Sequence, residues 1–397
     1  GGMEPPLTEE QELYRKSVRE FLTRTVEPRS KEIFGKRRIP VELWKSLADF
    51  GLTGLLLPTE YGGSDSDFTS FLIAVEELSR ADRSGFLTVC MLLSNTEGLI
   101  VAEHGREELK ETLLPSIAKG KAVLGLASTE PGCGTDFTAV QTRIRREGGE
   151  YVVTGEKQCI SLVTEAKDLG GGHLVTGKTS PELGRRGMGL IYVPIAEKGV
   201  ESSELDTLGP SLGRIRYEEV RVPLHHLVGE ENQGVYLIQK GFVITRVAVA
   251  MSLVGPTLRL LEEGAEYLKQ RTSFGRPLAK FQGMQFQLAE HRARVDAARL
   301  LTYRAGEMVE RLRRGEGDPS KVALAASEAK LLASVDCLKA ATEATMWYGA
   351  MGLTTELDAH LVLRSVLGAC IAEGTVEAQK MVIGRTLLGR EFSSVRE

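Results

Sequence analysis

Near residue 122 the spacing of apolar residues changes from a helical period to an alternating one, and near residue 233 it changes back. Before the first change, Tyr14, Val18, Phe21, Leu22 and Val26 recur at helical intervals behind a capping box formed by Thr8 and Gln11. Further helices are predicted over 41–50, 68–80 and 107–117, with a turn from Pro58 to Gly63. Between the changes, the segments 122–128, 142–146, 151–154, 190–194 and 216–222 are short, alternating or β-branched, and separated by Gly and Pro. After Gly229-Glu230-Glu231-Asn232-Gln233-Gly234, long helices are predicted over 241–271, 282–313 and 320–349, and a last one after Gly374. The charged turn Arg313 to Pro319 separates the second of these from the third.

An α, β, α order of this kind predicts a multidomain α+β protein. We expect an N-terminal helical domain over 1–121, a small β-barrel or β-sheet domain over 122–232, and a C-terminal four-helix bundle over 233–397. A chain of 397 residues exceeds what one core organises, which agrees with several domains. Net charge is −4 with both signs interspersed, so neither nucleic acid nor an anionic membrane is favoured as a partner. No apolar run approaches the roughly 20 residues of a membrane span, so none is expected. Cys90, Cys133, Cys159, Cys337 and Cys370 are far apart and lack ligand or disulfide spacing, and no metal site is predicted. His225-His226 read as solvated imidazoles in a loop. Gly1-Gly2 read as a vector remnant before a start at Met3, and a cytoplasmic protein is expected.

The chain has no GxGxxG fingerprint at a strand-to-helix junction, no nucleophile elbow and no HExxH. Gly170-Gly171-Gly172 reads as a flexible loop. Glu373-Gly374-Thr375 is the unusual segment, because it follows the apolar stretch 366–372 and opens a helix. A carboxylate in such surroundings is desolvated, which raises its pKa toward the range of a general base. Thr375 can cap the helix, whose N-terminus favours an anion. Taken alone, the segment reads first as a capped surface glutamate and only second as a base.

At these residues the chain resembles the acyl-CoA dehydrogenase family over nearly its whole length. The family's TEPGAGSD-like stretch is matched by Thr129-Glu130-Pro131-Gly132-Cys133-Gly134-Thr135-Asp136, and its flavin-contacting WIT by Cys159-Ile160-Ser161. Tyr217-Glu218-Glu219-Val220-Arg221-Val222-Pro223 is similar to FxDVxVP, and Arg271-Thr272-Ser273-Phe274-Gly275 with Gln282 to RxxFG…Q. Gly349-Ala350-Met351-Gly352, Arg364 and Glu373-Gly374-Thr375 match GGxG…R…EGT. The resemblance implies FAD between the β domain and the bundle, held by Leu126, Ser128, Thr129, Thr135, Ser161, Met346, Gly349, Gly352 and Thr375. Arg271, Phe274 and Gln282 would reach the FAD of a neighbouring copy, which implies a homo-oligomer, as a tetramer. It also implies Glu373 as the base of an α,β-dehydrogenation of an acyl-CoA or acyl-carrier-protein thioester to its trans-2-enoyl product. Thr135, Arg246, Ala372 and Gly374 would contact substrate, and an electron-transfer flavoprotein would accept the electrons. Relatives with the base on another helix carry it near Thr245, which cannot serve.

Several residues depart from the family pattern. Cys159 replaces Trp, Met346 a Gln, Ala350 a Gly, Ser365 an acid and Ala372 a Tyr, while 163–177 is atypical and the 208–216 turn is short. Two other classes therefore stay open: a flavin oxidase or monooxygenase on the same scaffold, and a non-redox thioester-binding protein.

Overall fold

The computed structural model describes residues 5–392; Gly1, Gly2 and Met3 lie outside the described residues. The chain clusters into two compact units that do not follow chain order. One comprises Gly35–Asp67 and Val89–Thr245, the other Gly1–Phe34, Phe68–Thr88 and Arg246–Glu397.

The first unit is built on an eight-stranded sheet. Its strands are β1 (Val123–Ala127), β2 (Arg143–Glu147), β3 (Glu150–Ser161), β4 (Gly171–Lys178), β5 (Met188–Pro194), β6 (Val200–Leu205), β7 (Leu212–Pro223) and β8 (Leu227–Val228). They lie in the order β6-β7-β3-β2-β4-β5-β8, and β1 pairs with β4. Strands β3 and β7 run well past the segments that alternation marks. The β3–β7 register shifts between Val153 and Gly155 and again between Lys157 and Ile160. Each irregularity resets which residues face the core, so a period-2 pattern breaks inside a continuous strand.

The Gly170-Gly171-Gly172 run is not a flexible loop. Gly171 and Gly172 open β4, which pairs parallel with β1 and antiparallel with β5. A Cβ on Gly171 would lie 2.0 Å from the Val123 carbonyl oxygen, and one on Gly172 would lie 2.2 Å from that of Val193. Close backbone approach, not flexibility, requires the glycines here. The atypical 163–177 stretch also contains a short helix, Val163–Leu169, whose buried Glu165 carboxylate accepts from Ser211 Oγ at 2.7 Å. His226 is likewise no solvated imidazole: its Nδ1 donates to the Tyr192 carbonyl at 3.0 Å, and burial pushes its pKa down to about 4.

A charged network lies inside this unit. Lys157 is fully buried and donates to Glu130 Oε1 at 2.9 Å, the Ser128 carbonyl at 3.0 Å and Thr176 Oγ1 at 3.1 Å. Glu130 also accepts from the backbone N–H groups of Gln141 and Thr142 and from Thr142 Oγ1. Burial pushes Lys157 down to about 8. In Glu130 burial acts upward, but the Lys157 charge and the hydrogen bonds outweigh it and hold the carboxyl low. The pair fixes Ser128 and Glu130 against β3.

Helices dominate the second unit. Glu9–Thr25 starts at the expected Thr8–Gln11 capping box. Arg19 grips Glu77 through two hydrogen bonds of 2.7 and 2.6 Å, while Glu76 forms an ion pair with Arg299 at 2.8 Å and accepts from Tyr303 Oη at 2.6 Å. The bundle consists of residues 246–270 of the helix Gly234–Gln270, with Gln282–Arg313, Pro319–Trp347 and a fourth member broken into Ala359–Ile371 and Val376–Leu388, bent by 40°. Asp318 caps the third by accepting from Ser320 N–H, and Pro319 occupies its first turn.

Among the described residues, two helices, Phe86–His104 and Gly234–Gln270, are long and apolar enough to cross a membrane, contrary to the expectation from runs of sequence. Their apolar windows are 83% and 89% buried within the protein, so core packing accounts for that composition. Phe86–His104 carries apolar residues all around its circumference, which erases the amphipathic period and explains why the sequence pattern does not mark it.

Candidate active site

Glu373 sits at the break in the fourth bundle member. Ala372 is extended (φ −60°, ψ 149°), and the next two residues are left-handed, Glu373 at φ 56° and Gly374 at φ 97°. Thr375 then caps Val376–Leu388 by accepting from Ala378 N–H at 3.4 Å, the role its position in sequence implies. A left-handed conformation costs a non-glycine residue about 1–2 kcal/mol, so surrounding groups must hold the turn.

Three donors do so. Arg246 Nε donates to the Glu373 carbonyl at 3.2 Å. Gln379 Nε2 donates to the same carbonyl at 3.3 Å and to that of Gly374 at 2.9 Å. Lys330 Nζ donates to the Cys370 carbonyl at 3.1 Å, at the end of the preceding helix. With its backbone held, the Glu373 side chain turns inward. The residue as a whole is half-buried, but its Oε2 is closed off from solvent and, among the described residues, has no hydrogen-bond donor. Burial pushes the carboxyl up to about 7, against the opposing pull of the Arg246 and Lys330 charges. Arg246 is itself shifted down by burial, and its Nη1 donates to Ser327 Oγ at 3.3 Å.

The residues around this turn that the sequence marks, Arg246, Ala372, Gly374 and Thr375, are therefore assembled about Glu373. Lys330 and Gln379 escaped the sequence reading. The signal was present for Lys330: Ser327, Lys330, Ser334 and Cys337 fall on one helical stripe among alanines, and a lysine in a small, apolar stripe points to a buried charge. Thr245, the alternative base position, is fully buried, and its hydroxyl has no hydrogen-bond partner among the described residues.

Elsewhere in the helical unit a cleft of about 480 Å³ is lined by Leu278, Met284, Gln287, Glu343, Met346 and Trp347. Trp347 Nε1 donates to Gln287 Oε1 at 2.9 Å, and His291 Nε2 lies 2.7 Å from Glu343 Oε2. Met346 lies at its wall, and the Gly349–Leu353 turn holding Gly349 and Gly352 follows the lining helix. Arg271 and Gln282 are exposed, and Phe274, at φ 50°, is 93% exposed.

In the β unit, Leu126 and Ser128 lie on and just beyond β1, and Thr129 precedes the exposed Thr135. Ser161 ends β3, where its carbonyl accepts from His173 Nε2 at 2.9 Å. Burial pushes His173 down to about 4, so it is neutral and its N–H is committed to that carbonyl. Cys159 is exposed and left-handed (φ 58°) within the second β3 irregularity. Sequence reasoning missed His173, which lies in the atypical stretch. Among the described residues, no group of three or more His, Cys, Asp or Glu side chains could hold a metal.

Family models cover nearly all of this chain. The N-terminal domain of acyl-CoA dehydrogenase matches residues 8–121, the middle domain 125–220 and the C-terminal domain 232–388. The chain belongs to the acyl-CoA dehydrogenase family. It is 32% identical to a 3-(aryl)acrylate reductase of Clostridium sporogenes, over 96% of this chain and 99% of that one. It is also 32% identical to a cyclohex-1-ene-1-carbonyl-CoA dehydrogenase of Syntrophus aciditrophicus, over 96% and 91%. Butyryl-CoA dehydrogenase from Megasphaera elsdenii superimposes with a TM-score of 0.88 at 28% identity, over 97% of this chain and all of that one. Acyl-CoA dehydrogenase family membership makes the chain one of a family of flavoprotein oxidoreductases, with its helical, sheet and helical domains in the expected order.

The turn that carries Glu373 has a testable demand on Gly374. A Cβ there would lie 2.7 Å from Gln379 Nε2 in a left-handed backbone. Gly374→Ala should cost about 1–2 kcal/mol in urea unfolding. An unchanged midpoint would mean that the turn is not held as described.

Proposed function

We propose that the chain catalyses FAD-dependent α,β-dehydrogenation of an acyl thioester, with Glu373 as the base. One observation carries this reading: a buried glutamate oxygen without a donor, on a carboxyl whose pKa is raised to about 7. A carboxylate oxygen that accepts no hydrogen bond is poised to accept a proton, and a pKa near neutrality suits general-base work. Because the ionised form is the active one, proton abstraction should rise with pH through about 7.

The residues present fit a flavin. On the β unit, Leu126, Ser128, Thr129, Thr135 and the Ser161 hydroxyl would contact it, with Ser161 held by His173. On the helical unit, Met346, Gly349, Gly352 and Thr375 would do so. The exposed Arg271 guanidinium suits a pyrophosphate, and the almost fully exposed Phe274 with Gln282 suits the cofactor of a second copy. When bound, FAD supplies the acceptor for the hydride that leaves the β-carbon. The protein's part is to hold the thioester, exclude water, stabilise developing enolate charge through the Glu373 backbone N–H, and take the α-proton on the Glu373 carboxylate. An electron-transfer flavoprotein as acceptor, CoA as carrier, a tetrameric assembly and a cytoplasmic setting belong to the same reading. The direction of reaction is open to the same groups, since a carboxyl titrating near 7 can return a proton to an enoyl thioester. The relative named as a 3-(aryl)acrylate reductase supports weighing that direction.

Glu373→Gln should leave FAD bound but slow anaerobic flavin reduction by about 10²–10⁴. Bleaching of the variant at the wild-type rate would exclude Glu373 as the base.

We further propose a substrate that is branched or cyclic at the α- and β-carbons. Ala372, beside the base, stands where the family pattern has Tyr, and it is exposed. A small residue there leaves room that a branched or cyclic acyl group would fill and a straight chain would fill poorly. A relative named for cyclohex-1-ene-1-carbonyl-CoA supports this shape. Cyclohexanecarboxyl-CoA or isobutyryl-CoA should exceed octanoyl-CoA in kcat/KM, and Ala372→Tyr should reverse the order. A tenfold wild-type preference for octanoyl-CoA would contradict it.

A further inference from the structure

Lys330 is fully buried, on the helix Pro319–Trp347. Its ammonium donates to two neutral oxygens, Ser334 Oγ at 3.0 Å and the Cys370 carbonyl at 3.1 Å. Charged and titratable groups facing it are Cys370 and Glu373 from the broken fourth member and Arg246 from the long helix Gly234–Gln270. Fold stability alone gives no reason for such a charge, because apolar replacements of buried charges are commonly neutral or stabilising.

Its position supplies a reason. Cys370 is in the last turn of Ala359–Ile371, where helix carbonyls lack intrahelical partners and the helix dipole is negative. The Lys330 ammonium satisfies one of those carbonyls and complements that dipole two residues before the strained Ala372–Gly374 turn begins. Arg246 and Gln379 hold the far side of the same turn through the Glu373 and Gly374 carbonyls. The Lys330 charge is also within electrostatic reach of the Glu373 carboxyl.

We propose that Lys330 is a positioning residue for the base: it anchors the helix end from which Glu373 departs and supplies the positive charge that keeps a buried carboxyl ionisable. This rests on Glu373 being the base. Burial pushes Lys330 down to about 8 and Glu373 up to about 7, and each charge favours the ionised form of the other. The two groups titrate as a coupled pair. Arg246 pushes Lys330 down and Glu373 pulls it up, and both are weaker than burial.

The anchoring and electrostatic roles separate experimentally. Lys330→Gln keeps a donor for the Cys370 carbonyl but removes the charge, Lys330→Arg keeps the charge, and Lys330→Met removes both. Loss of a nearby positive charge raises a carboxyl's pKa, so the ascending limb of anaerobic flavin reduction against pH should move up by roughly one unit or more in the Gln and Met variants. At pH 7 their rate of reduction should fall about fivefold for the first unit of that displacement and about tenfold for each further unit, with KM changed far less, while Lys330→Arg restores the wild-type limb. In flavin-free protein, amide exchange of peptides spanning 366–379 should quicken in Lys330→Met and less in Lys330→Gln. Should Lys330→Met not fold, the Gln and Arg pair still decides. A Gln variant whose limb coincides with wild type, in an enzyme that Glu373→Gln inactivates, overturns the role of Lys330 alone. A Glu373→Gln variant of wild-type rate overturns the base itself.

Discussion

The arrangement depends on an uncompensated interaction: a carboxyl oxygen drawn out of water with no donor to meet it among the described residues. Such a group persists only if the backbone that aims it cannot relax. Here the fourth bundle member is interrupted, two successive residues take left-handed φ values, and one of them is the glutamate. Arg246, Gln379 and Lys330 pin carbonyls on either side of the break. Local strain, the 40° bend and the raised carboxyl pKa are three aspects of that one constraint.

The β unit follows a similar logic with different materials. A buried Lys157–Glu130 pair is tolerated because nearly every oxygen and proton in it is matched, and it sets Ser128 and Glu130 against β3. A neutral His173 does the same for Ser161 at the other end of that strand. In both units, polar groups buried away from solvent are spent on aiming backbone, and the residues they aim are the ones the family motifs contain.

Much of this was legible in sequence because periodicity and capping are local. Thr8 and Gln11 announce the first helix, and Gln282–Arg313 coincides with its predicted span. The unread parts are those in which local pattern is overwritten by tertiary contact. Phe86–His104 is apolar on all sides and so lacks a period, β3 and β7 change face at bulges, and Gly171 and Gly172 resemble loop glycines but are forced by neighbouring strands. Glu373 was legible through its motif, whereas its strained backbone was not. Lys330 and Gln379 became visible only when helices distant in sequence met, although a lysine among alanines was already anomalous.

A direct titration of the Glu373 carboxyl tests the central claim. The infrared C=O stretch of its protonated form, isolated as the difference between wild type and Glu373→Gln in flavin-loaded, substrate-free protein, reports ionisation without reference to turnover. A midpoint near pH 7 is expected from burial opposed by Arg246 and Lys330. A midpoint near 4.5, the ordinary value for a glutamate, would mean that the carboxyl is solvated and the account of the site is wrong.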